Sequence, residues 1–293
     1  MAGRVAVVAD STACLPAELA PQLGVTVVPL RIVAGGLAAD DGPGVLDGPL
    51  GGELRRGQRL STARPGPAKF AAAYAAAAGS GAAAVVSVHL SGQLSGTVRS
   101  ARLAAAGAAL PVHVVDSLSI GMGLGFGVLA AARSAQDGQA AGAVAAAASR
   151  CAARLGSYFA LDSPDYLQAG GRLEPPGVAA GHHGGGPELP GGRRVLTSRP
   201  LLHVRGGRIT VLERVRTRSA AAARLAELAA EFAAGRPVDL AIQHLGNAER
   251  AAELSRRLAA AIPAAPTSRV AEAGAAILAH TGPGMLGVVV SPC

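Results

Sequence analysis

Three segments set small hydroxyl side chains beside glycine or proline where strands are expected to end. They are Ser61-Thr62-Ala63-Arg64-Pro65, Leu94-Ser95-Gly96-Thr97 and His280-Thr281-Gly282-Pro283-Gly284. Hydroxyls and exposed backbone amides donate hydrogen bonds to an anionic head group, and a helix N-terminus adds partial positive charge. Taken singly, each residue also has an ordinary structural role. Ser95 reads as a helix N-cap, Ser61-Thr62 as part of a turn before Pro65, and His280 as a lone histidine in a Gly-rich loop after an apolar helix.

Other chemistries fit less well. Gly121-Met122-Gly123-Leu124-Gly125-Phe126-Gly127 follows a strand, but the third glycine of a dinucleotide fingerprint falls on Phe126 or Val128. Close helix packing is the expected role of these glycines. Lys69 lies between Ala68 and Phe70, so no phosphate-binding Gly-Lys-Ser/Thr exists. Ser95 has its preceding glycine three residues away, at Gly92, which breaks the nucleophile-elbow spacing. Asp10 and Asp116 end strands and are expected to hold loop amides. The alternative kept open is a hydrolase or acyl transferase on small esters, with Ser95 as nucleophile and His280 as base.

The elements that must position these segments follow an α/β rhythm. Strands are expected at Val5–Ala9, Val25–Ile32, Ala83–Leu90 and Val112–Val115, each an apolar, β-branched run leading to a polar loop. Helices are expected over Pro16–Leu23, Pro67–Ala78, from Thr97 to about 109, from Gly123 through Arg133, and over Ala140–Leu155. Residues 33–58 read as a surface excursion. After Gly156 the pattern changes. Ser157–Leu161 reads as a strand, and a helix then leads to Gly170-Gly171-Arg172. A hairpin turns at Arg205-Gly206-Gly207-Arg208. Helices at Ser219–Ala233 and Ala248–Ala261 alternate with strands at Val238–Gln243 and Gly287–Val290. The stretch 174–194, which contains His182-His183, reads as a loop with no metal role. The fold class is therefore α/β in two domains. Residues 1–156 read as an α/β domain with a parallel sheet, and 157–293 as an α+β domain.

Composition narrows the function. The chain has 293 residues, enough for two domains, and aromatics make up only 2%, so small aliphatic side chains must fill the core. The net charge of +8 comes almost wholly from arginines that are scattered and not interleaved with aromatics, which argues against nucleic acid. Such an Arg-for-Lys bias is what a GC-rich genome's codon choice produces. Cys14, Cys151 and Cys293 lack metal-knuckle spacing and are expected as free thiols in a reducing compartment. No signal peptide or transmembrane run is read, so a cytoplasmic location is expected.

Together the motifs resemble the DegV family, which includes the fatty-acid-binding component of bacterial fatty acid kinase. The resemblance runs through Val8-Ala9-Asp10-Ser11-Thr12, Leu60-Ser61-Thr62-Ala63-Arg64-Pro65-Gly66-Pro67 and Val88-His89-Leu90-Ser91-Gly92-Gln93-Leu94-Ser95-Gly96-Thr97. It continues through Val115-Asp116-Ser117, Asp165-Tyr166-Leu167, Gly170-Gly171-Arg172 and Arg199-Pro200-Leu201-Leu202. It closes with Arg214-Val215-Arg216-Thr217 and His280-Thr281-Gly282-Pro283-Gly284.

The resemblance implies a Rossmann-like N-terminal domain over residues 1–156 and a lipid site between it and the C-terminal domain, with no cofactor, no metal and no catalytic residue in this chain. Thr62, Ser95 and His280 are implied to hold the carboxylate of a long-chain fatty acid. Ser61, Arg64, Gly96, Thr97, Thr281 and Gly282 are then in the head-group vicinity. Arg216 is implied to engage a DAK-type fatty acid kinase that phosphorylates the carboxylate, and transient contact with a membrane surface is compatible with loading. Burying an acyl chain contributes roughly 0.8 kcal/mol per methylene, about 12 kcal/mol gross over sixteen carbons. The tail then sets affinity and the hydroxyls set orientation. Arg64 replaces the Gln usual in the family's turn, which adds a cation near the head group.

Overall fold

The computed structural model describes residues 3–173 and 198–292, together with the backbone of 188–189 and 193–194. In chain order the strands are β1 (Val5–Asp10), β2 (Val25–Val28), β3 (Arg31–Ala34), β4 (Leu37–Asp40), β5 (Ser61–Ala63), β6 (Ala84–His89), β7 (Val112–Asp116) and β8 (Gly156–Ala160). They continue as β9 (Glu188–Leu189), β10 (Arg193–Arg194), β11 (Arg199–Arg205), β12 (Arg208–Val215), β13 (Asp239–His244), β14 (Thr267–Glu272) and β15 (Leu286–Ser291).

The β-branched runs β1 and β6 are the centre of a parallel sheet ordered β2-β1-β6-β7. All six residues of β6 are buried, as expected of a strand covered by helices on both faces. Helices Pro67–Gly79, Thr97–Ala105, Met122–Gln136 and Ala141–Ala152 pack about it. Pro67 occupies the first turn of its helix, where a missing N–H costs nothing. In Met122–Gln136, a Cβ on Gly125 would stand 2.7 Å from the carbonyl oxygen of Ala13. That glycine allows the helix to close onto the loop after β1.

A small antiparallel sheet, β4-β3-β5, projects from the parallel one. The expected strand Val25–Ile32 is therefore two strands in two sheets. The expected surface excursion 33–58 holds the end of β3, strand β4 and the helix Pro49–Arg55. The turn at Gly35 (φ +55°) and Gly36 (φ +81°) reverses the chain there, with left-handed backbone that suits glycine. The expected helix over Pro16–Leu23 shrinks to Leu19–Gln22.

The six-stranded mixed sheet is ordered β12-β11-β8-β15-β13-β14. Gly206 (φ +57°) and Gly207 (φ +83°) form the tight β11–β12 turn expected from sequence. Helices Arg218–Ala233 and Ala248–Ala261 cover one face, burying Leu225, Leu254 and Leu258 against Leu240, Ile242 and Val288. Thr217 caps the first of them by accepting a hydrogen bond from the Ala220 amide. The opposite face of this sheet meets the small antiparallel sheet, and Ile32, Leu161, Leu202 and Ile277 belong to the core between them. The Ser91 hydroxyl reaches across to the Gly207 carbonyl at 2.7 Å. β9 and β10 pair antiparallel. Most of the stretch 174–194, including His182-His183, lies outside the described residues, as does Cys293. Cys14 and Cys151 are free thiols.

Candidate functional site

Thr62 sits in the middle of β5, opposite Ile32 of β3, and not in a turn after a strand. Its hydroxyl oxygen lies 2.7 Å from Nε2 of His280, 218 residues away in the chain. His280 is not in a loop either. It occupies the last turn of the helix Ala275–Thr281.

That helix is fixed at both ends. At its start the buried Asp41 carboxylate accepts a hydrogen bond from the Ala276 amide at 3.3 Å. Burial raises the pKa of this carboxyl above the usual range, partly offset by its hydrogen bonds to Ser11 and to the helix amides. At its end Gly282 has φ +69°, and a Cβ there would lie 2.6 Å from the Tyr166 ring. Only glycine satisfies both conditions. The Arg59 guanidinium lies over the Tyr166 ring, 5.0 Å from its centroid.

Ser95 arrives from the parallel sheet. The loop after β6 folds back through hydrogen bonds from the Leu94 and Ser95 amides to the Ser91 carbonyl, at 3.0 and 3.1 Å. The Ser95 hydroxyl is 2.9 Å from that of Thr97, which opens the helix Thr97–Ala105. Asp116 steadies the same loop by accepting from the Gly92 and Leu118 amides, and Asp10 holds the Thr12 and Leu90 amides, as expected from sequence.

Thr62, Ser95 and His280 all line one cavity whose walls are otherwise largely apolar, with Leu30, Leu94, Phe159, Ile209 and Val288 among them. A second, open groove is lined by Arg64, Gly96, Arg99 and Ser100. Thr62, Leu94, Ser95 and Arg172 line both spaces. They mark the place where the apolar cavity meets a basic surface groove.

The electrostatics of this junction are unusual. Burial first, and the Arg172 guanidinium second, lower the pKa of His280 to about 4. The ring is therefore neutral at pH 7. Burial also lowers the pKa of Arg172, whose guanidinium donates to the Gly170 carbonyl at 2.8 Å. The junction thus presents hydroxyls, a neutral imidazole and one guanidinium. These groups can bind a single anionic head group without a fixed counter-charge in direct contact at every oxygen.

The other expected site residues are distributed around this point. Thr97 is buried beside Ser95, and Arg64 lies along the Ser95-Gly96 turn, with its Cδ 3.0 Å from where a Gly96 Cβ would be. Thr281 lines the cavity, but its hydroxyl is committed to the Ile277 carbonyl at 2.9 Å. Ser61 is exposed and its hydroxyl faces the Val33 carbonyl at 3.3 Å. Arg216 is exposed just beyond β12 and lines neither space. The Ser95–His280 hydrogen bond that a hydrolase would use does not occur, because each of the two is bonded to a different threonine. Among the described residues no cluster of His, Cys, Asp and Glu could hold a metal ion, and no helix is long and apolar enough to cross a membrane.

Sequence reasoning gave no role to Arg172, Asp41 or Gln243. The first stood in a recognised motif, Gly170-Gly171-Arg172, without a partner to explain it. Gln243 was hidden at the end of an otherwise apolar strand.

Comparisons with known proteins agree on one family. The sequence profile described as "Uncharacterised protein, DegV family" matches residues 4–292. A DegV domain-containing protein of Streptomyces coelicolor is 45% identical over 291 residues, covering 99% of each chain. Among solved structures, a fatty-acid-binding DegV family protein from Thermus thermophilus is 31% identical, with TM-score 0.87 over 98% of this chain and 99% of that one. DegV of Bacillus subtilis, described as a fatty acid binding protein, is 28% identical with TM-score 0.86 over 99% of both chains.

Proposed function

Since this chain belongs to the DegV family, we propose that it is a carrier that encloses one long-chain fatty acid and exposes its carboxylate to a partner kinase. Residues 1–156 and 157–293 are the two domains of this reading. The division is supported by the sheets, since none of them mixes strands from before and after residue 156. The acyl chain occupies the apolar cavity, and the carboxylate accepts hydrogen bonds from Thr62, Ser95 and His280.

The observation that carries this reading is the junction itself. The same hydroxyl residues, Thr62 and Ser95, line both a largely apolar cavity and a basic groove. A molecule with a long apolar tail and a small anionic head matches that division, and burial of the tail supplies most of the affinity. The fatty-acid-binding relatives from Thermus thermophilus and Bacillus subtilis support the ligand class.

Handing the carboxylate to a DAK-type kinase is supported by the groove on its outer side. Arg64, Arg99 and Arg172 line it and match the charge of a transferring phosphoryl group. The exposed Arg216 is assigned to contact with that partner. The chain then acts in the cytoplasm, as a lipid-binding component of phospholipid metabolism and not as the catalyst.

The test is direct. Protein purified from a bacterial host, denatured and examined by mass spectrometry, is expected to release about one fatty acid per chain. Delipidated protein is expected to take up labelled oleate or palmitate. Protein that carries none and takes up neither would overturn the proposal.

A further inference from the structure

The basic groove carries more positive charge than one carboxylate uses. Arg64, Arg99 and Arg172 line it, and among the described residues no Asp or Glu does. Several guanidiniums elsewhere are paired. Arg199 and Arg218 share Asp162, and Arg224 meets Glu213, Glu227 and Glu231. Arg64 and Arg99, by contrast, have neither an ion pair nor a hydrogen bond among the described residues, and both are exposed.

Further donors surround the same space. The Arg64 guanidinium lies across Gly96, with Nη1 3.1 Å and Nε 3.2 Å from where a Cβ would stand. A side chain at 96 would push it away, so the glycine keeps this cation beside Ser95, which lines both cavity and groove. Gly96 also opens the nine-residue helix Thr97–Ala105 without a side-chain cap, so the first-turn amides have no side-chain acceptor. Ser100, in the same helix, is 3% exposed and lines the groove, and its hydroxyl makes no hydrogen bond among the described residues. Guanidiniums, amides and a hydroxyl around one space suit an anion with several acceptor oxygens.

We infer that the groove is a phosphate subsite continuous with the acyl cavity, and that it favours a long-chain lipid whose head is a phosphate monoester over one whose head is a carboxylate. This rests on the fatty-acid reading above and specifies the head group further. A carboxylate has one negative charge and two oxygens. A phosphate monoester carries about −1.5 to −2 at pH 7 and has three strong acceptor oxygens. The tail then lies in the apolar cavity, Thr62 and Ser95 bind the oxygen nearest it, and Arg64 and Arg99 take the outer oxygens. The planar fork of a guanidinium matches two phosphate oxygens at once.

The experiment uses palmitate and hexadecyl phosphate, which share a chain length and differ in the head. Each displaces a fluorescent fatty acid from the full-length protein at sub-micellar concentration. Hexadecyl phosphate is expected to bind at least about tenfold tighter, and Arg64→Gln combined with Arg99→Gln to cut that preference below about twofold. Raising NaCl from about 0.05 to about 0.5 M should erode the same preference in the wild-type protein, which tests the charge without any variant. Palmitate binding that hexadecyl phosphate does not exceed overturns the inference and leaves the fatty-acid reading standing. A preference that survives both the double variant and high salt also overturns it. If palmitate with excess inorganic phosphate binds as tightly as hexadecyl phosphate, the groove takes free phosphate, and the assignment to a lipid head falls. If neither lipid binds, the fatty-acid reading itself falls and the inference falls with it.

Discussion

Two imidazoles in this molecule each lie 2.7 Å from a hydroxyl oxygen, His89 from Ser87 and His280 from Thr62, yet the two pairs have opposite surroundings. His89 is fully buried in the parallel sheet. Its Nδ1 is 3.1 Å from the Asp10 carboxylate, Ser87 accepts from the Tyr74 hydroxyl at 2.9 Å, and the Phe70 ring stands edge-on at 4.9 Å. Serine, histidine and aspartate thus occur in relay order, but Tyr74, Ser87, His89 and Asp10 are all at most 1% exposed and line neither the apolar cavity nor the basic groove. No substrate reaches them. His280, by contrast, faces a cavity, has a guanidinium for its charged neighbour, and is held neutral. Access and the sign of the neighbouring charge, not the residue list, separate a network that holds strands together from one suited to an anionic ligand.

The comparison can be broken most severely at the sealed network. His89→Ala would leave the buried Asp10 carboxylate with the Thr12 hydroxyl as its remaining side-chain partner, and is expected to lower unfolding free energy by about 3–5 kcal/mol. Urea denaturation measures this, and a loss below about 1 kcal/mol would show that the network is not what secures the sheet. The open pair is expected to behave the other way. Thr62→Ala combined with Ser95→Ala should weaken fatty-acid binding by about tenfold to hundredfold, since hydrogen bonds to a charged group contribute about 1.5–3 kcal/mol each before relaxation. Its stability should change by less than about 1 kcal/mol. Unchanged affinity in isothermal titration would remove the head-group assignment.

The smallest effect is in pH. The folded-state pKa of His280 is about 4, against an ordinary 6.5. As pH falls, the unfolded chain takes up this proton first. Stability should therefore be full above about pH 6.5 and decline between about 6.5 and 4. Asp41, with its raised pKa, works in the opposite sense, because its carboxyl gains a proton in the folded state first. Comparing wild type with His280→Gln removes that common contribution. The variant is expected to show a flatter acid limb in thermal melts across pH, and an identical limb would refute the assignment.

The parallel sheet was legible because β1 and β6 are continuous apolar runs bounded by polar residues, and such runs have few other ways to bury themselves. The Gly206-Gly207 hairpin and the limits of the helix Ala248–Ala261 were equally plain. The β4-β3-β5 sheet was not. Leu37–Asp40 is largely exposed and shows no apolar alternation, so only the Gly35-Gly36 pair signalled a reversal. β14 was missed because it is an edge strand with no fully buried residue, Ser268, Val270 and Glu272 lying on its exposed face and Thr267 and Arg269 on the other. His280 was assigned to a loop because Gly282 and Gly284 draw the eye, whereas Gly282 ends a helix. At the site, Thr62, Ser95 and His280 came from the family resemblance, since nothing in their spacing brings residues 62 and 280 together. Asp41 on Ala276 and Asp10 on His89 are pairings of the same kind, invisible until the chain is folded.

Hydrogen bonds stitch the earlier part of the chain to the later one, among them Ser91 to Gly207, Met122 to Gln243, Ala276 to Asp41 and the Thr62–His280 pair. Any motion that draws these two parts of the chain apart must break them, while the basic groove meets the cavity at Thr62 and Ser95. For a lodged acyl chain, the residence time is then governed by the protein's own breathing. On the carrier reading proposed above, chemistry at the carboxylate needs no such motion and is not limited by it.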